Sequence, residues 1–178
     1  MANVFFDGEG FKAEQLAVAQ FGGKLLSDKA SQYKDIDALL QSKSGAMVTV
    51  SVKDQLRGTK KGFSSVQLEL TTINTRTGAK LKGCFLKNES QYYFWRIWTA
   101  EYGDTWAIVE SAKLKAWVKE NYSTLRKWST KPETEAKNRS YGRTYDRSEG
   151  VELEISVMKQ LGQLKPVEGT KQGIPTVV

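Results

Sequence analysis

Asp35-Ile-Asp-Ala-Leu-Leu-Gln-Ser-Lys-Ser-Gly-Ala-Met-Val-Thr-Val-Ser-Val-Lys53 is the stretch on which the fold turns. Asp35 to Gln41 reads as a short strand, Ser42 to Ala46 holds turn residues, and Met47 to Lys53 alternates as a second strand does. The two make a hairpin. Asp37 lies inside the first strand, so the hairpin brings its carboxylate and the Lys53 ammonium to one sheet edge. Ser51 and Lys53, two apart in a strand, share a face.

Upstream, Lys12 to Phe21 places Ala13, Leu16, Ala17 and Phe21 on one helical stripe, and Gly22-Gly23 ends it as a C-terminal cap. Downstream, Arg57 to Gly62 combines Arg57, Lys60 and Lys61 with two glycines, the composition of an exposed, mobile loop. Val66, Leu68 and Leu70 alternate with polar residues ahead of the turn-like Asn74 to Gly78, which favours a hairpin and leaves a helix as the alternative. Gln91 to Trp98 is aromatic and β-branched and reads as a strand, with a turn at Gly103-Asp104 and another strand from Thr105 to Val109. These are the expected central strands, and their aromatic residues are expected in the core. Ser111 caps a helix running to about Lys127, with Leu114, Trp117, Val118 and Leu125 recurring at helical spacing.

The pattern predicts an α/β fold: a core over residues 1–128, then a basic arm and tail over 129–178, partly irregular. Within the latter, Ser129 to Gly150 is polar, with Tyr141 and Tyr145 set among Lys137, Arg139, Arg143 and Arg147. Val151 to Leu161 is a last strand or short helix, and Gln163 to Val178 a loose tail.

The chain has 178 residues, 26% of them charged and 39% hydrophobic, enough for one domain with a real core and too few for two large ones. Lysine and arginine total 27 against 20 acids, a formal charge of +7, so a polyanion is the expected partner, nucleic acid first. There is no histidine, which excludes every Ser-His-Asp, Cys-His and His-ligated metal site. Catalysis is left to carboxylates, lysines and hydroxyls. The single cysteine, Cys84, forms no internal disulfide and suits a reducing compartment, with the cytoplasm as the default. The opening, Met1 to Asp7, lacks a basic segment followed by a long apolar run, and nowhere do about 18 apolar residues follow one another. No export signal or membrane association is expected.

A carboxylate beside a lysine suits phosphodiester hydrolysis. The carboxylate can hold Mg²⁺, and the lysine can lower the pKa of an attacking water or stabilise the charged transition state.

With Gly10-Phe-Lys-Ala-Glu14, then Asp35-Ile-Asp37-Ala-Leu-Leu, then Val48-Thr-Val-Ser51-Val-Lys53-Asp-Gln55, the sequence resembles the PD-(D/E)xK nuclease superfamily of restriction enzymes, Holliday-junction resolvases and recombination nucleases. The likeness spans about residues 10 to 55 closely and extends loosely to about residue 127. It implies a restriction endonuclease-like central mixed sheet flanked by helices, with Asp37 as the metal-binding aspartate, Lys53 as the lysine and Glu14 as the helix glutamate. Gln55 would contact the DNA backbone or the metal's water. The sequence departs from the pattern at Ser51, where the superfamily has its second acid. Some members with serine there recruit a later glutamate, for which Glu69 is the candidate, with Asp35, Asp54 and Glu14 behind it.

The resemblance implies a Mg²⁺- or Mn²⁺-dependent DNA endonuclease, restriction-like or junction-resolving, of a kind that phages and mobile elements carry; a resolvase would act as a homodimer. Arg57, Lys60, Lys61, Arg139, Tyr141, Arg143, Tyr145 and Arg147 are the expected contacts to DNA, by charge and by stacking. The alternatives are a catalytically inactive nuclease-like protein that binds nucleic acid, and a basic protein-interaction domain.

Overall fold

The computed structural model describes residues 9–169; the readings made on Met1 to Asp7 and on the end of the expected tail lie outside them. Helix α1 (Glu9–Phe21) buries Ala13 and Ala17. It ends at Gly22, whose φ of +75° is left-handed geometry that glycine adopts without a Cβ clash. Strand β1 (Gly23–Leu25) and helix α2 (Lys29–Tyr33) lead into the hairpin of β2 (Ala38–Gln41) and β3 (Met47–Asp54), with Ala38 opposite Val50 and Gln41 opposite Met47. The first strand thus starts at Ala38 rather than Asp35, because Asp35 takes a φ of +54° and breaks the extended run.

The segment expected as a mobile loop contains helix α3 (Leu56–Lys60). Thr59 anchors it: its N–H donates to Gln55 O at 3.0 Å, and its hydroxyl accepts the Trp98 N–H at 2.7 Å. Strands β4 (Ser65–Ile73) and β5 (Lys80–Lys82) pair antiparallel, so the favoured hairpin holds there and the helix does not. Helix α4 (Cys84–Lys87) precedes β6 (Tyr92–Thr99) and β7 (Gly103–Glu110), which pair along their whole length. Helix α5 (Ser111–Asn121) is shorter than its periodicity suggests, since Tyr122–Thr124 tightens into a 3₁₀ turn and β8 (Lys127–Ser129) follows. Its N-cap is Glu110, not Ser111, whose hydroxyl is buried against Ser90 instead.

Residues expected as an arm and tail form helix α6 (Pro132–Ser140), strand β9 (Arg147–Glu154), helix α7 (Ile155–Leu161) and strand β10 (Gln163–Pro166). Of these, β9 lies inside a sheet and buries Val151 and Leu153 completely, while β10 pairs with β7. The polar flanks of Val151-Glu-Leu153 hide a strand pattern only a few residues long.

The α/β class read from the sequence is the one observed. A six-stranded sheet runs β1-β2-β3-β6-β7-β10, antiparallel except where β3 meets β6. A parallel neighbour requires a crossover, and here the crossover carries α3, β4, β5 and α4. Strands β4 and β5 belong to a second, four-stranded antiparallel sheet, β5-β4-β9-β8. Strand alternation then sorts the core into two. Val50, Val52, Phe94, Trp106 and Ile108 pack under α1, whereas Tyr93, Trp95, Ile97, Ala107 and Val109 pack against the second sheet, α5 and α7. Ser51 pairs with Tyr93 and Lys53 with Trp95, so both lie on the face turned toward the second sheet. Among the described residues, no helix is long and apolar enough to cross a membrane.

Candidate active site

Asp37, immediately before β2, donates its N–H to Val50 O at 2.9 Å. Its Oδ2 accepts the Val52 N–H at 2.7 Å, so the ladder itself fixes the carboxylate. Asp35 reaches the same place by its left-handed backbone. Its Oδ1 lies 2.5 Å from Lys53 Nζ, and its Oδ2 accepts from Asn88 Nδ2 at 3.1 Å. Ser51, fully buried, bridges the two acids, with Oγ 3.1 Å from Asp35 Oδ2 and 3.3 Å from Asp37 Oδ2. The structure therefore gathers Asp37, Ser51 and Lys53, as the sequence reading expected. It makes Asp35, there a reserve acid, the direct partner of the lysine.

Asn88 is itself held by a buried polar chain: its side chain meets Ser90 Oγ, Ser90 meets Ser111 Oγ at 3.2 Å, and Lys115 Nζ donates to the Asn88 carbonyl. Three of its members come from the loop before β6 and the start of α5, elements far apart in sequence from the hairpin. Nothing in the local sequence marks them.

The electrostatics separate the roles. Burial works against the Lys53 ammonium, but attraction to Asp35 and Asp37 outweighs it and lifts its pKa above the ordinary lysine value. Lys53 is thus a fixed cation at neutral pH, suited to stabilising negative charge and unsuited to taking a proton. Burial raises Asp37 despite the opposing pull of Lys53 and the Val52 N–H. Glu14, on α1, is pushed up to about 7 by burial first and by the Asp37 charge second, so the two acids feel one another.

Two carboxylates whose ionised forms are disfavoured by burial, with repulsion between them, have the donor chemistry of a Mg²⁺ site, since Mg²⁺ binds through one or two carboxylates and keeps several waters. Among the described residues no group of three or more Asp, Glu or Cys side chains converges as a metal cage. Glu14 and Asp37 are the residues that would hold such a cation, with water completing its shell.

Glu69 enters the cleft from the second sheet. Its Oε1 accepts the Cys84 N–H at 3.1 Å and its Oε2 the Ser148 hydroxyl at 2.8 Å. The β4–β9 register shifts between Glu69 and Thr71, a bulge of the kind that re-aims a strand side chain. Glu69, Gln55, Asp35 and Lys53 line one narrow space of about 50 Å³ with Cys84 and Tyr93. Burial pushes the Cys84 thiol up to about 11, which leaves it a poor nucleophile. Two wider concavities, of about 390 Å³ beside Trp128 and about 290 Å³ beside Phe21, contain none of these acids nor Lys53.

The expected DNA-contacting residues divide into two sets. Arg57, Lys60 and Lys61 are exposed on and just after α3, and Arg57 and Lys60 share a cleft of about 270 Å³ with Lys12 and the buried Arg96. Arg139 and Arg147 are instead tied within the fold. Arg139 pairs with Glu135 and with the fully buried Asp146, both at 2.9 Å, and Arg147 pairs with Glu135 at 3.0 Å. The Thr75 hydroxyl and N–H hold the Asp146 carboxyl far below its usual range. Arg143 and Tyr141 remain exposed and Tyr145 is half-buried. Asp54, a reserve acid in the sequence reading, pairs with Arg96 at 3.3 Å.

No protein-family model matches the chain, and no curated protein does.

Proposed function

We propose that the protein is a metal-dependent nuclease that hydrolyses DNA phosphodiesters, with its site at the β2–β3 hairpin. The observation that carries this reading is the coexistence of a fixed Lys53 ammonium with two part-buried acids that feel its charge, Asp37 immediately before β2 and Glu14 on α1. Glu14 and Asp37 would hold a divalent cation, which supplies positive charge at the reacting phosphate. Lys53 stabilises the negative charge that develops on the phosphoryl oxygens, and Asp35 holds Lys53 in place. In the reaction a water oxygen bonds to phosphorus as the bond from phosphorus to one deoxyribose oxygen breaks. The water's proton passes to a carboxylate of the cleft, and the departing oxygen takes a proton from solvent. Lys12, Arg57 and Lys60, gathered in a cleft with Arg96 and Asp54, neutralise backbone phosphates, so binding weakens steeply with salt.

The test is incubation with linear, single-stranded and four-way-branched DNA in Mg²⁺, Mn²⁺ or EDTA, with Asp37→Ala and Lys53→Ala alongside. Metal-dependent cleavage by the wild type, lost in both variants while each remains folded, is the expected result. Cleavage that persists in Lys53→Ala would remove the lysine from the mechanism.

A second reading, a nuclease-like protein that binds nucleic acid without cutting it, is favoured by one observation. Ser51 occupies the second-acid position and is consumed by hydrogen bonds to Asp35 and Asp37. It predicts tight, salt-sensitive DNA binding indifferent to Mg²⁺, with no cleavage.

A further inference from the structure

The inner face of the second sheet extends beyond the core that covers it. Along β9, Val151 and Leu153 are fully buried, and Glu149, two residues before Val151, belongs to the same face. Glu149 stands opposite Thr71 of β4 and opposite Ser129 of β8. Residues directly opposite one another in antiparallel strands share a face, so the register sets a hydroxyl, a carboxylate and a second hydroxyl in one row across three strands. Lys127 pairs with Val151, which makes it the diagonal neighbour of Glu149 on that face, roughly 7–8 Å away. The row, Lys127 and Tyr122 line the concavity of about 390 Å³, a size within the range of roughly 300–1,000 Å³ at which small-molecule sites occur.

The charges here are not spent within the fold. Lys127 donates to the backbone carbonyls of Tyr122 and, at 2.8 Å, of Leu125, which fixes its ammonium and leaves one of three N–H bonds for a ligand. The same ammonium stands 4.0 Å from the centre of the Tyr122 ring, and Tyr122 is still 48% exposed, so ring surface remains for a flat ligand. Among the described residues no ion pair engages Glu149; Arg147, itself paired with Glu135, feels its charge from farther off.

A complementary ligand is flat, brings an anion to Lys127 and presents N–H donors to Glu149. A nucleotide does all three, and the chain's charge of +7 favours it. Of the four DNA bases only guanine presents two adjacent N–H donors, at N1 and N2, which the two oxygens of one carboxylate can accept together. Adenine and cytosine set a ring acceptor beside the amino group, and thymine flanks its N3–H with two carbonyls. We infer that this pocket binds a guanine nucleotide, either free or as an unpaired guanine of a DNA strand. Glu149 accepts from N1–H and N2–H, a flanking hydroxyl donates to O6, Tyr122 stacks on the base and Lys127 meets the phosphate. The inference does not rest on the nuclease reading.

Isothermal titration in EDTA, with dGMP, dAMP, dCMP, dTMP, deoxyguanosine, and a short oligothymidylate with and without one guanine, tests it. The expected result is a guanine probe bound at least about tenfold more tightly than its counterparts. Glu149→Gln, near in size and shape, should erase that preference with no change in melting temperature. Lys127→Gln should weaken dGMP several-fold and leave deoxyguanosine within about twofold, and Tyr122→Ala should weaken all the nucleotides together. Equal affinity for the four bases, a guanine preference that survives Glu149→Gln, or binding of none of the probes would overturn the inference. A preference confined to the oligonucleotide assigns the site to a DNA strand; one at least as strong with dGMP assigns it to the free nucleotide. No cleavage is read in these titrations, so a wild type that cuts no DNA defeats the nuclease reading and leaves this result standing.

Discussion

Glu14 sets a pH dependence that the rest of the chain leaves unusually easy to see. In the folded protein its carboxyl holds a proton up to about pH 7, against 4.5 for an ordinary glutamate, through burial and the nearby Asp37 charge. Between those values the native state binds more protons than the unfolded chain, so stability falls as pH rises, with the loss complete above about 7. The full difference corresponds to roughly 3.4 kcal/mol, and solvent still reaches this carboxylate, so screening leaves about 1–2 kcal/mol. The chain has no histidine, Lys53 lies above its ordinary value and Cys84 near 11. Asp37 is raised as well and acts in the same direction. Urea unfolding in EDTA at about pH 5 and about pH 8.5 should show the wild type losing this amount across the window. Glu14→Gln should match it at the acid end and exceed it by about 1–2 kcal/mol at the alkaline end. A wild type equally stable at both pH values, or a Gln variant with the same slope, would refute the placement of Glu14 against Asp37.

The two basic sets should behave oppositely. Arg57→Ala with Lys60→Ala should weaken DNA binding and lower its salt dependence by about two phosphate contacts while leaving the melting temperature unchanged. Arg139→Ala, which strips the buried Asp146 of its ion pair, should lower the melting temperature in a thermal scan and leave the salt slope of DNA binding in place. Ser51→Asp puts a third carboxylate where Oγ already lies within 3.3 Å of two others, and should cost about 3–5 kcal/mol in EDTA. Mg²⁺ should recover much of that loss in a melting experiment, and no recovery would argue against a cation at this edge.

The hairpin, the aromatic strands and α1 were legible because each carries its own periodicity over several turns or alternations. Thr49, Ser51 and Lys53 against Val48, Val50 and Val52 is such a pattern, and it also gave the shared face of Ser51 and Lys53. What the sequence did not reveal depends on contacts between distant segments. The Arg57–Gly62 stretch reads as loop by composition, and it turns helical because Thr59 meets the Trp98 backbone. The basic stretch before Gly150 reads as a solvated arm, since charge alone does not show that Arg139 and Arg147 close on Glu135 and Asp146. Glu69 was an outward strand acid by alternation alone; the bulge beside it and the hydrogen bonds to Cys84 and Ser148 turn it to the cleft.

Asp35 shows how a buried lysine can draw its counter-charge from outside its own strand. With serine at position 51, Lys53 has no carboxylate on its own face of β3 to pair with, and Asp54, the next residue, pairs with Arg96 instead. The chain supplies one from the loop before β2, and a strand conformation there would not deliver it to Lys53. The φ of +54° at Asp35 does, a conformation that aspartate tolerates better than most residues and that still carries a cost. Asn88 holds the result through both the Asp35 carbonyl and its carboxylate, at 3.2 and 3.1 Å. A strained backbone, a buried amide committed to it and a 2.5 Å ion pair all serve one lysine. The Lys53 and Asp35 side chains are only 27% and 11% exposed, and an ammonium taken that far from water without a counter-charge is strongly destabilising. Asp35 therefore offsets the burial of Lys53 and at the same time holds its charge at a fixed point beside Asp37.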